Sequence, residues 1–327
     1  MNPTLVYLVF SGLIVVALII DLGVLSKKNA VMSLRKALVQ TVFWVFLSFA
    51  FCLFIYYEGN KTGKGSEDAI KYISAYLLEW SLSIDNIFVF IIIFSFFRVK
   101  EINYSRVLLL GILMAIVFRI IFIAVGSELV ARFDWIMYVF GAFLLYTGIK
   151  MFFANEENEF NPEDNWAFWI MKKIFRTTNH EPHGKFFMRI KGKLYLTKLS
   201  MVVIMLGLID IVFAIDSIPA VFSIIPDPND KLLIYSSNIF AVLGLRSLFF
   251  LLRGAANKFN YLQQGIAIVL LFIGAKMLVA KWIHFEVWIS LIIIIACISG
   301  SILFSIYKSN QEKLEEKIKE ANDPGEE

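Results

Sequence analysis

Two stretches hold reactive side chains where an apolar chain has little other reason to keep them. The first runs from Leu78 to Phe90 and contains Glu79, Ser83, Asp85 and Asn86; the second runs from Ile209 to Phe222 and contains Asp210, Asp216, Ser217 and Pro219. Each sets an acid, then five residues, then an aspartate inside a long apolar segment. Carboxylates are costly in such a setting and by default mark an ion or proton site. Glu79, Asp85, Asn86, Asp210, Asp216 and Ser217 offer only hard oxygen donors, which suit Mg²⁺, Ca²⁺ or Mn²⁺. No thiol or imidazole joins them, which argues against copper or a dedicated zinc site. The four acids exceed the charge of one divalent ion, so some should carry protons when no metal is bound, and this permits proton-for-metal exchange.

Plainer roles compete at each position. Glu79 or Asp210 could pair with Arg119 or Arg246 and simply hold helices together, the arginines acting as structural counter-charges. Lys150 and Lys276 stand near the ends of apolar runs and read as snorkelling side chains. Asp21, near the end of the first apolar run, is a further candidate for the ion path, whereas His180, His183 and His284 read as solvated or interfacial. Cys52 and Cys297 lie alone in separate runs and read as small core residues, not as a disulfide or metal pair. An intramembrane aspartyl protease, with two aspartates sharing a proton, is a second functional class. Against it, Gly207-Leu208-Ile209-Asp210 lacks the Gly-x-Gly-Asp context, and the acids come in two pairs. The chain is therefore not read as an enzyme, and no cofactor is expected. A non-transporting membrane scaffold that assembles a stress complex is a third class.

The elements that must position these residues are membrane helices. The chain of 327 residues is 59% apolar and only 18% charged, and apolar runs of about 20 residues recur from end to end. Nine spans follow: Leu5 to Leu25, Ala37 to Tyr57, Tyr72 to Phe97, Val107 to Val130, Trp135 to Phe153, Leu199 to Ile225, Leu232 to Leu252, Gly265 to Ala280 and Val287 to Tyr307. The fold class is all-α, a polytopic membrane protein with one nine-span transporter domain over 1–310 and a charged tail over 311–327. A polar loop over 154–198 divides the spans; within it 165–176 suits an interfacial amphipathic helix and 186–196 a short hairpin. The net charge of +4 is too small to suggest nucleic acid, which leaves a divalent metal ion and the lipid bilayer as expected partners.

Loop charge orients the spans. Lys27, Lys28 and Arg35 follow span one; Arg98, Lys100 and Arg106 follow span three; Lys172 to Lys198 fill the long loop with basic residues; Arg253 and Lys258 follow span seven. By the positive-inside rule the N-terminus is outside and the C-terminal tail cytoplasmic. No Lys or Arg precedes the first run, which reads as a retained span and not as a cleaved signal.

Helix periodicity places Glu79, Ser83 and Asn86 on one face of span three, and Asp210, Ala214 and Ser217 on one face of span six. Asp85 and Asp216 lie about 120° round from the first acids. Either the cavity wraps the helices or the helices unwind there. Pro219 supplies a reason for a break in span six, and unwound backbone would add carbonyl ligands. Further echoes join the two acidic stretches: Arg119-Ile120-Ile121-Phe122 with Arg246-Ser247-Leu248-Phe249, and Gly148-Ile149-Lys150-Met151 with Gly274-Ala275-Lys276-Met277. The offsets are 131 for Asp85 to Asp216, 127 for the arginines and 126 for the lysines. Spans three to five thus map in order onto spans six to eight, entering the membrane from opposite sides. Such an inverted three-helix repeat is a transporter architecture with its substrate site near the midplane.

The sequence resembles the TerC family of bacterial and plastid integral membrane proteins. The resemblance rests on Glu79 with Ser81-Leu82-Ser83-Ile84-Asp85-Asn86 and on Asp210 with Phe213-Ala214-Ile215-Asp216-Ser217-Ile218-Pro219-Ala220, and covers roughly residues 1–310. Members of that family are associated with tellurium resistance and, in the branch with this nine-span layout, with manganese export. The resemblance therefore implies a secondary transporter that exports Mn²⁺ across a bacterial inner membrane. Spacing alone implies an ion path with hard ligands.

Overall fold

The computed structural model describes residues 3–20, 32–61, 63–133, 135–153, 168–169, 173, 178, 184–190, 192–253, 261–283 and 285–322, without the side chains of 3–7, 20, 85, 287 and 312–322. Among the described residues the order is α1 (Pro3–Ile20), α2 (Leu34–Asn60), α3 (Gly65–Phe96), α4 (Glu101–Arg132), α5 (Ile136–Phe152), β1 (Phe187–Ile190), β2 (Lys193–Leu196), α6 (Lys198–Ile224), α7 (Lys231–Arg253), α8 (Leu262–Val279) and α9 (Val287–Asn322). Seven of these helices are long and apolar enough to cross a membrane, and α1 and α5 are shorter apolar helices. At 17 residues α5 sits at the lower limit for a span. The protein is an all-α, polytopic membrane protein.

Hydrocarbon leaves the backbone no outside partner, so these apolar runs must satisfy their own N–H and C=O groups as helices. Their ends are marked locally. Ser33 caps α2, its hydroxyl accepting from the Lys36 N–H at 3.4 Å. Acids stand in the first turns of α3 (Glu67, Asp68) and α4 (Glu101), and Arg132 closes α4, all matched to the helix dipole. Along α2, Leu38, Val42, Phe46, Phe49 and Leu53 are exposed at helical spacing and form a lipid-facing stripe, while Ala37, Gln40, Trp44, Ser48, Phe51 and Ile55 are buried.

Three helix pairs build the centre. Phe94 meets Phe249, and Lys71 reaches Asp230, so α3 and α7 run side by side in the same direction. Gly111 and Gly126 of α4 lie against Leu206 and Phe222 of α6, again in parallel. The third pair, α5 and α8, is antiparallel: Gly141 faces Gly274 and Met277, and Gly148 faces Ala267 and Leu271. α7 is enclosed by α2, α3 and α4, and nearly all its side chains are buried. α9 packs on α8 and α3.

The two alternatives left open for span six resolve to a smooth helix, because α6 continues unbroken through Pro219. Proline removes one donor from the ladder, but it stands in the last turns, among the buried Ala220, Val221, Phe222 and Ile224, which hold the helix in place. The hairpin has Phe187 opposite Leu196 and Ile190 opposite Lys193, with Gly192 at φ +77° in the turn. It is tied to the spans: Thr197 Oγ1 donates to the Lys185 and Phe186 carbonyls at 2.7 and 3.0 Å, and Arg106 donates to the Gly184 carbonyl at 3.3 Å. Asp21, the three histidines and most of 165–176 lie outside the described residues.

Candidate functional site

Arg119 is the centre of the site. It projects from α4 into the interface with α3, α6 and α7 and is fully buried. Its Nε and Nη2 donate to the two carboxylate oxygens of Asp210 on α6, each at 3.0 Å, a bidentate fork. Its Nη1 donates to Glu79 Oε1 on α3 and reaches Asn238 Oδ1 on α7 at 3.2 Å and Ser217 Oγ on α6 at 3.5 Å. One guanidinium therefore joins residues of four helices. Glu79 and Asp210 are themselves fully buried.

Periodicity explains which residues meet. Asp210 and Ser217 are seven residues apart on a continuous α6, so both turn toward Arg119. Asp216 faces another way, and Thr147 Oγ1 of α5 donates to its Oδ1 at 3.2 Å. Asn86 is buried on α3 beyond Glu79. Asp85 falls on α3, but its side chain lies outside the described residues. The structure thus brings together Glu79, Asp210 and Ser217 and sets Asp216 against α5. Among the described residues no three His, Cys, Asp or Glu side chains are grouped to hold a metal ion.

The charge is not closed. Glu79, Asp210 and Arg119 sum to one net negative charge if both carboxyls are ionised. Among the described residues Glu79 Oε2 has no hydrogen-bond partner, and neither has the buried Ser83 Oγ one turn further along α3. Buried oxygens of this kind cost free energy unless something supplies them with a donor or a cation.

Sequence reasoning named Glu79, Asp210 and Ser217, and named Arg119 as a partner, but missed Asn238 and Thr147. The signal for Asn238 was present as the run Ser236-Ser237-Asn238 inside an apolar segment. Thr147, a single hydroxyl, left no such mark. Lys276 at the end of α8 donates to the Ser223 carbonyl at 3.2 Å and to Ser290 Oγ at 2.9 Å. It lines a cavity of about 430 Å³ with Glu67, Lys71, Tyr138 and Met277, apart from the acid cluster.

The family model described as "Integral membrane protein TerC family" matches residues 64–313. The chain is 38% identical over 306 residues to a Salmonella typhi protein named "Putative membrane-bound redox modulator Alx", with 92% of this chain and 94% of that one covered. It is 38% identical over 300 residues to "Uncharacterized membrane protein STKORF319" of Myxococcus xanthus, covering 92% and 91%, and 37% identical over 304 residues to an uncharacterized membrane protein of Rickettsia bellii, covering 93% and 98%. No solved structure matches the chain. With the buried acids on α3 and α6 inside the matched segment, and relatives aligned over nearly their whole length, the chain belongs to the TerC family of integral membrane proteins.

Proposed function

We propose that the protein is a secondary transporter that exports a divalent cation, Mn²⁺ foremost, with Glu79, Asp85, Asn86, Asp210, Asp216 and Ser217 along its path and protons as the counter-ion. The observation that carries this reading is the meeting of two fully buried carboxylates, one from each acidic stretch, between four membrane helices. Ionisable groups at such depth are retained for ion or proton movement. The oxygen-only donor set favours Mn²⁺, Mg²⁺ or Ca²⁺ over softer metals.

Packing supports the inverted repeat that this function would use. Gly141 against Gly274 corresponds, at the offset of 126, to Ala267 against Gly148; likewise Gly148 against Leu271 corresponds to Gly274 against Leu145. A two-fold axis that exchanges two antiparallel helices is perpendicular to them, and so lies in the membrane plane. The parallel pairs agree, since α4 beside α6 maps onto α7 beside α3. In this reading the α3–α4 turn and the hairpin face the cytoplasm of a bacterial cell, as loop charge requires.

The test is metal flux. Cells lacking the protein should accumulate manganese, and Asp85→Asn or Asp216→Asn should fail to restore export. Normal efflux by both variants would remove these acids from the path. Proteoliposomes loaded with Mn²⁺, Ca²⁺ or Zn²⁺, with and without a pH gradient, assign ion and coupling. A second reading is a membrane scaffold of a metal or tellurite stress-resistance complex without transport of its own; the Salmonella typhi relative's printed name, "Putative membrane-bound redox modulator Alx", names no transport. It expects neutralised buried acids to leave the cellular phenotype intact.

A further inference from the structure

We propose that Arg119 is a tethered cation that occupies the acid pair between transport events, so that a divalent ion and the guanidinium bind Glu79 and Asp210 in turn and never together. The inference rests on the transport reading and adds a mechanism of exchange to it.

Charge counting is the first support. Glu79 and Asp210 carry two negative charges when ionised, and Arg119 returns one. A divalent ion added beside the guanidinium would leave the buried cluster with one net positive charge. The same ion in place of the guanidinium leaves it neutral. In a fully buried cluster that difference is large, because water does not screen it. Geometry is the second support. The fork takes one lone pair of each Asp210 oxygen at 3.0 Å, so an ion cannot chelate both oxygens from that side while the fork holds. The third support points to a ligand independently. Glu79 Oε2 and Ser83 Oγ, on the same helix, are buried oxygens without a hydrogen-bond partner among the described residues, ready to accept a cation once the guanidinium leaves.

An arginine needed to hold the two acids in place predicts weaker Mn²⁺ binding when it is removed, whereas a tethered competitor predicts tighter binding. Full-length protein in lipid nanodiscs is titrated with Mn²⁺ by calorimetry at neutral pH, and efflux is measured in parallel. Arg119→Gln should bind Mn²⁺ more tightly than wild type, by about tenfold or more, and should lose turnover because the ion is no longer displaced. Mn²⁺ should also raise the melting temperature of Arg119→Gln more than that of wild type. If Arg119→Gln does not fold, Arg119→Lys, which keeps a cation but not the fork, should show the same tightening to a smaller degree. The double variant Arg119→Gln/Glu79→Gln should lose the gain. Unchanged or weaker binding in the folded Arg119 variants, with wild type still binding and exporting Mn²⁺, overturns this inference and leaves the transport reading in place. Absence of Mn²⁺ binding and flux in wild type overturns both.

Discussion

At the Glu79–Arg119–Asp210 cluster the cost of buried charge decides what each substitution does. Arg119→Met strips the shared guanidinium from two fully buried acids and should destabilise the protein by about 3–5 kcal/mol. Glu79→Gln removes the excess negative charge while keeping an acceptor, and should cost less than about 1 kcal/mol. Unfolding in mixed micelles distinguishes them; equal losses would mean that the cluster's charge balance does not govern its stability. Glu79 and Asp210 were legible in the sequence because carboxylates stand out in apolar runs. Their shared arginine was legible only as one of two candidates, since Arg119 and Arg246 sit in equivalent contexts. Asn238 and Thr147 were not legible, because small uncharged polar residues are common in membrane helices and often bond their own backbone. Asn238 does this as well, donating to the Ile234 carbonyl at 3.1 Å.

At the level of the elements, close approach is set by glycines whose missing Cβ is filled by a neighbour. A Cβ at Gly274 would lie 2.8 Å from both the Gly141 carbonyl oxygen and the Leu145 nitrogen, backbone atoms that cannot yield. Gly274→Val should therefore cost about 1–3 kcal/mol by forcing α5 from α8. Gly300, where a Cβ would meet nothing within 4 Å, should accept alanine without loss. Chemical unfolding of the two variants checks the contrast, and a stable, fully folded Gly274→Val would refute the close packing of this pair. Each membrane helix was legible as an apolar run. Its partner was not, because lipid and protein neighbours are equally apolar and only glycine spacing separates the faces. The course of α6 was also undecided in the sequence. A proline in the last turns can break a helix or be carried by its neighbours, and here packing around Pro219 carries it.

For the whole molecule, the proposed orientation puts Lys64 and Lys193 on opposite sides of the membrane. Both are exposed, one between α2 and α3 and the other beside the hairpin turn. With Cys52 and Cys297 replaced, Lys64→Cys should react with an impermeant maleimide added to intact cells. Lys193→Cys should react only after the cells are opened, and labelling of both from one side would invert or dissolve the assigned topology. The enclosure of α7 has a further consequence, for assembly in the cell. Ser236, Ser237, Asn238, Arg246 and Ser247 make α7 poor company for lipid, yet every one of them is buried in the finished protein. A helix so little exposed in the folded state has little need to be soluble in lipid. Its entry into the bilayer should therefore be helped by α2, α3 and α4, all made earlier, so that insertion of this helix is expected to be more efficient in the full chain than for α7 made alone.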